Sequence, residues 1–258
     1  MELSECAVIH LERWINSMSN LEIRNLTKRF AGLVAVNNVD LSFGGDEIVG
    51  IIGPNGAGKT TLINLVSGIF YPTSGQILMD GVDITTMPAH KRTQLGVGRT
   101  FQLIHPLEDL STIENIMIGF IFSQGFSKKV AKEKSEILCK SLDLERWNRS
   151  VSQLTILEIK KMEIAQALAT NPGVLFLDEV MAGLNSDELK ELIGLIKKLA
   201  KEKTIAIGIV EHVMGVIKEL ADRVVVLENG AILADGSFKA VMKNPDVIAA
   251  YLGGGNYA

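Results

Sequence analysis

The run Gly53–Pro54–Asn55–Gly56–Ala57–Gly58–Lys59–Thr60 constrains this chain more than any other segment. Its three glycines permit backbone conformations closed to other residues. Before it, Glu47 to Ile52 is a short apolar run of the kind that forms a buried strand. After it, a helix beginning near Lys59 would carry Leu62, Ile63, Leu65 and Val66. A strand, turn and helix with the spacing G-x-x-x-x-G-K-[ST] curls successive N–H groups around phosphate oxygens. The helix N-terminus adds positive potential at the same place. The candidate phosphate-binding residues are therefore Gly53, Pro54, Asn55, Gly56, Ala57, Gly58, Lys59, Thr60 and Thr61. Lys59 would reach the β- and γ-phosphates, and the Thr60 hydroxyl would ligate Mg²⁺.

Such a loop needs a carboxylate for the metal at the end of a neighbouring strand. Gly173 to Asp178 is a second buried apolar run that ends in Asp178–Glu179. Asp178 is the metal candidate, and Glu179 stands where a general base could polarise an attacking water. Thr204 to Val210 is a third such run. Between the last two, Asn185 and Glu188 form a capping box ahead of the stripe Leu189, Leu192, Ile193, Ile196 and Leu199. Strands alternating with helices imply a parallel sheet covered on both faces.

Other segments read more simply. Leu21–Ile23 and Val39–Phe43 alternate as half-buried strands, and Gln76–Met79 ends in the turn Asp80–Gly81. Val224–Leu227 and Ala231–Ala234 flank Asn229–Gly230 as a hairpin. The stretch from 104 to 168 is mostly helical in pattern, which implies a subdomain inserted between two core strands. Residues 1–19 read as an N-terminal extension.

Together these motifs resemble the ATPase subunits of ABC transporters, over residues 20–257. The resemblance implies an α/β P-loop NTPase with a mixed core sheet, an antiparallel β subdomain and a helical subdomain inserted at about 103–168. It implies ATP and Mg²⁺ as cofactors. Gln102, in Arg99–Thr100–Phe101–Gln102, stands where the family's glutamine senses the metal and the attacking water. His212, in Val210–Glu211–His212, matches the histidine that bonds the γ-phosphate. Phe30 matches the aromatic that stacks on adenine, and Ala35 would line the same pocket. Ala182–Gly183–Leu184–Asn185 resembles the loop that follows the catalytic glutamate. The segments Phe30–Val36, Gly98–Gln102, Ala182–Asn185 and Asn244–Gly253 narrow the resemblance to ATPases of branched-chain amino acid importers, with urea and amide importers similar.

The chain departs from the family at two places. The family signature Leu-Ser-Gly-Gly-Gln is here Leu154–Thr155–Ile156–Leu157–Glu158. Thr155 keeps a hydroxyl for phosphate. Ile156 and Leu157 replace two glycines with bulk that crowds a close backbone approach. Glu158 brings a negative charge toward the triphosphate. The signature should therefore support hydrolysis poorly in the site it completes, which holds the partner's phosphate-binding loop. A regulatory, hydrolysis-poor half of a heterodimer is the alternative function, and a heterodimer is favoured over a homodimer. Val180 is the second departure. The family usually has proline there, which fixes the turn, and its loss would either loosen Glu179 or have only a small effect.

Composition removes other classes. Twenty-six basic against 30 acidic residues give a net charge of −4, where a chain held by nucleic-acid phosphates would be basic. Nine Phe, three Tyr and two Trp are too few for a base-stacking surface. Two cysteines fit a reducing compartment. Apolar runs such as Val224–Leu227 fall far short of the ~20 residues a bilayer requires, and Glu2, Glu5 and Glu12 interrupt any signal peptide. The resemblance implies membrane permeases, a second ATPase subunit and, indirectly, a solute-binding protein as partners, with no nucleic acid, and a peripheral location at the cytoplasmic face of the membrane. The resemblance also implies a surface that receives short helices of the permease, and exposed Ile104, Leu107 and Ile113 there would partly account for the mean hydropathy of +0.24.

Overall fold

The structure, a computed structural model, describes residues 19–100 and 107–252. Two sheets organise it. The larger holds β3 (Ile48–Ile52), β6 (Val97–Arg99), β7 (Val174–Asp178), β8 (Ala206–Val210), β9 (Arg223–Glu228) and β10 (Ala231–Gly236), in the order β10-β9-β3-β8-β7-β6. All neighbours are parallel except the edge pair β9–β10, so the sheet is mixed. The smaller sheet is antiparallel. It holds β1 (Asn20–Phe30), β2 (Leu33–Gly44), β4 (Ser74–Met79) and β5 (Val82–Asp83), in the order β2-β1-β4-β5.

The three central strands are buried along their whole length. Their side chains alternate between two cores, as the two-residue period of a strand requires. Ile48, Ile52, Leu175, Leu177, Ile207 and Ile209 join the helical side. Val49, Ile51, Val174, Phe176, Ala206 and Val210 join the antiparallel sheet and α1 (Lys59–Val66). Phe43 and Phe176 meet edge to face at 5.0 Å. A Cβ on Gly208 would lie 2.6 Å from the Phe176 ring, so a glycine is needed beside that pair.

Helices α3 (Thr112–Ile118), α4 (Lys128–Ser141) and α5 (Ile156–Leu168) lie in the chain between β6 and β7, with a π-helical turn over Gly119–Ser123 continuing α3. Ser111, Ser127 and Thr155 cap the three helices through their side chains, which fixes where each begins. Then come α6 (Ser186–Lys203), capped by Asn185 and Glu188 as expected, and α7 (Met214–Leu220). The chain closes with α8 (Phe238–Val241) and α9 (Pro245–Leu252). Among the described residues no helix is long and apolar enough to cross a membrane.

Three local readings change. β1 and β2 are much longer than their alternating cores, because register shifts after Ile23, Leu26 and Lys28 break the period. The short helix α2 (Ala89–Gln94) and β6 had no sequence pattern of their own. Arg92, from α2, is fully buried, and its guanidinium donates to the Leu65 and Val66 carbonyls at the end of α1. Finally, Ile113 is 4% exposed and packs in the core of the helical insert, so it offers no docking surface. Position N2 of α3 turns it inward. Leu107 is exposed as expected, and Ile104 lies outside the described residues.

Candidate active site

Parallel strands point the same way, so the segments following β3, β7 and β8 emerge along one edge of the sheet. The glycine-rich loop follows β3, Asp178–Glu179 closes β7, and Glu211–His212 follows β8.

The loop's conformation depends on two glycines. Gly53 has φ 150° and Gly58 φ 103°. A Cβ on Gly53 would strike the Leu227 carbonyl oxygen, and one on Gly58 would strike that of Ala35. Gly230 in the β9–β10 turn laces the loop to β2. Its N–H donates to the Ala57 carbonyl at 3.0 Å, and its own carbonyl accepts from Asn37 at 2.8 Å. Ala35 is thereby placed beside the loop. Inside the curl, Lys59 Nζ donates to the carbonyls of Gly53 at 2.7 Å and Pro54 at 3.0 Å. Burial lowers the Lys59 pKa, and the charges of Glu179 and Asp178 oppose that shift. No side chain caps α1, and no acidic residue lies in its first turn. Its leading amides are thus left for an external anion. Asn55, Gly56 and Thr60 are exposed, Pro54 and Thr61 half-buried.

Asp178 is 2% exposed. Its N–H donates to Thr100 Oγ1 at 3.2 Å, and its Oδ2 pairs with Arg99 at 3.5 Å. Oδ1 is buried without a hydrogen-bond partner. Burial raises the Asp178 pKa, with Arg99 opposing and Glu179 reinforcing. Arg99 also donates to Asn64 Oδ1 and Ser67 Oγ, tying Asp178 to the far end of α1. Glu179 Oε1 lies 2.7 Å from His212 Nε2. The Glu179 N–H donates to the Val210 carbonyl at 3.0 Å. Glu211 is 4% exposed and accepts the Met181 N–H at 2.9 Å. Val180 and Met181 are themselves buried. The turn after Glu179 is therefore anchored without a proline, which fits the smaller of the two effects expected from Val180.

Two further expected residues are held by contacts of their own. Phe30 is 39% exposed, meets Phe70 edge to face at 5.4 Å and has Lys28 Nζ 5.0 Å from its centroid. Thr155 caps α5 and bonds Glu158 reciprocally, at 2.8 Å through the Thr155 N–H and 3.2 Å through its hydroxyl. Arg146 lies 3.6 Å from the same carboxylate. Neither hydrogen bond reaches the glycine-rich loop. Gln102 lies outside the described residues. Sequence reasoning assigned no role to Arg99, Thr100 or Glu211. Their one signal was a polar residue at or directly after the end of a short or buried strand.

Known proteins resemble this chain along most of its length. The ABC transporter family matches residues 36–182, and the C-terminal family of branched-chain amino acid ATP-binding cassette transporters matches 231–256. The chain is 38% identical to the high-affinity branched-chain amino acid transport ATP-binding protein BraF of Pseudomonas aeruginosa, over 90% of this chain and 97% of that one. Identity to LivG of Escherichia coli, described in the same words, is 37% at the same coverage. A solved ATP-binding cassette of an ABC transporter in its ADP conformation superposes with a TM-score of 0.82 at 30% identity, covering 92% of this chain and all of that one. The matched family spans more than half the chain and includes both the phosphate loop and Asp178–Glu179, so the chain belongs to the ABC-transporter ATPases.

Proposed function

We propose that this chain binds Mg²⁺–ATP and hydrolyses it to energise an importer of branched-chain amino acids or a similar small polar solute. The observation that carries the reading is the convergence of the loop, Asp178 and the Glu179–His212 pair on one sheet edge. The solute class rests on the named relatives and on the matched C-terminal segment.

The residues divide the work. The amides from Gly53 to Thr61 hold the phosphates, with Lys59 exchanging its carbonyl partners for β- and γ-phosphate oxygens. Ala35 and Phe30 receive the adenine. Glu179 takes a proton from the attacking water, and His212 orients Glu179 and bonds the γ-phosphate. Gln102 senses that water. Thr60, Gln102 and Asp178 would hold the metal. The donor set fits a hard divalent ion, because it consists of oxygens and because Asp178 Oδ1 is buried without a protein partner. When bound, Mg²⁺ would neutralise charge on the phosphates.

Residues 20–257 form the ATPase domain, with the helical subdomain at about 103–168. Between that subdomain and the core lies a cleft of about 560 Å³, lined by Ser67, Arg99, Asn115, Glu163 and Gln166 among others. It suits the short helices of a membrane permease, which would place the chain at the cytoplasmic face. Uptake of radiolabelled leucine, isoleucine and valine by cells lacking this chain tests the reading. Uptake should collapse and return with the wild-type chain but not with Glu179→Gln. Unchanged uptake of all three would remove the solute class.

A second reading, a hydrolysis-poor half of a heterodimer, is favoured by the α5 N-terminus. There Glu158 and Ile156, 50% exposed, occupy the face that would meet a partner's phosphates. Thr155 still carries a hydroxyl able to donate.

A further inference from the structure

Glu179 has φ 52°, a left-handed conformation that a non-glycine residue holds only when its surroundings impose it. The surroundings are specific. One residue on, Val180 is buried in the core of the helical side. Two residues on, the buried Met181 N–H points at Glu211 Oε1, 2.9 Å away. Glu211 sits on the other segment, between Val210, which accepts the Glu179 N–H, and His212, which meets the Glu179 carboxylate. The two segments are thus joined three times over a span of three residues on each, and of these links Glu211 supplies the one made by a buried side chain.

A carboxylate is a poor choice for packing here. Burial and the nearby Glu179 charge both work against its ionised form, and an apolar side chain would avoid that cost. What it does supply is an acceptor for the Met181 amide, which would otherwise be a buried donor without a partner. We propose that Glu211 is a positioning residue: it fixes the turn after Glu179 to the segment bearing His212 and so holds the Glu179 carboxylate at its working place. It also takes over the restraint that proline at position 180 would give. This inference rests on the catalytic roles proposed above for Glu179 and His212.

Three full-length variants test it, assayed in the assembled transporter for ATP turnover and alone for hydrogen exchange. Glu211→Ala should lower kcat at least about tenfold, the scale on which a misplaced catalytic group costs rate, while KM for ATP stays within about twofold. Glu211→Gln keeps an acceptor oxygen and should recover most of that loss. Met181 amide exchange should be at least about tenfold faster in Glu211→Ala than in wild type, because the opening is local, and should return toward wild type in Glu211→Gln. Equal exchange in wild type and Glu211→Ala overturns the proposal, as does a Gln variant as slow as the Ala variant. Glu179→Gln is the control for the underlying reading. If it leaves wild-type turnover intact, the catalytic roles fail, while the exchange measurement still decides whether Glu211 fixes the turn.

Discussion

Glu179 Oε1 and His212 Nε2 stand 2.7 Å apart, joining the ends of β7 and β8 across the sheet edge. The contact fixes the orientation of the two side chains relative to each other. Glu179→Gln keeps the size and an acceptor oxygen but loses the base. Turnover should fall at least about 100-fold, within the range for removing a general base, and ATP affinity should be kept. Phosphate release beside a fluorescent-nucleotide titration reads both. A variant that binds ATP and still turns it over at the wild-type rate would remove Glu179 from the chemistry.

Gly58 offers a test of the loop that needs no catalysis. Its φ is 103°, and a Cβ there would strike the Ala35 carbonyl oxygen. Gly58→Ala should cost about 1–3 kcal/mol of stability, the usual scale for strained backbone, and weaken ATP binding severely. Gly56 has φ 79° but open space around it. Gly56→Ala should therefore cost less in thermal unfolding than Gly58→Ala, and the reverse order would contradict the packing described.

The parts of the site visible in the sequence are those written as contiguous patterns. Gly53–Thr60 carries its own geometry, since glycine spacing, a lysine and a hydroxyl specify one turn. Asp178–Glu179 was visible because an apolar run ends abruptly in two acids. Arg99 was not, because β6 is only three residues long and owes its strand to pairing with β7. Glu211 was hidden for a related reason: an acid after a strand reads as solvated until folding brings Met181 over it. Ile113 misled because position within a capped helix, not local composition, decided its face. The degenerate signature was legible as a departure, while its reciprocal cap with Glu158 required the structure.

Glu163 predicts a pH dependence of stability. It sits buried on α5 with both carboxylate oxygens lacking a hydrogen-bond partner and Lys160 3.8 Å away. Burial raises its pKa from 4.5 to about 7, partly offset by Lys160. The unfolded chain ionises this group near 4.5, so between there and about 7 the folded state binds more protons. Its contribution to stability is therefore fully present below pH 4.5 and lost as pH rises through 7. Glu163→Gln should gain on wild type across that window, reaching on the order of 1–3 kcal/mol by pH 8, with Lys160 left unpaired as an opposing effect. Urea melts of both proteins at pH 5 and pH 8 measure the difference. A gap that shrinks as pH rises would contradict the sign.

The α5 N-terminus decides between a competent and a weak signature. Thr155 keeps a hydroxyl, but the first turn carries Ile156, Leu157 and the Glu158 carboxylate. A phosphate approaching those amides meets bulk first and like charge second. Ile156→Gly, Leu157→Gly and Glu158→Gln together should remove both obstacles. Glutamine preserves the cap, since its side-chain oxygen can still accept the Thr155 N–H. Two glycines weaken the helix by up to about 1 kcal/mol each, so the triple variant should melt lower than wild type. Its turnover as the only ATPase present should nevertheless rise at least about tenfold, because each nucleotide would then meet an open set of amides from the partner copy. Faster turnover from a less stable protein cannot come from better folding. If wild type alone already hydrolyses ATP as fast as the triple variant, the signature is competent as it stands, and a homodimer needs no second kind of ATPase.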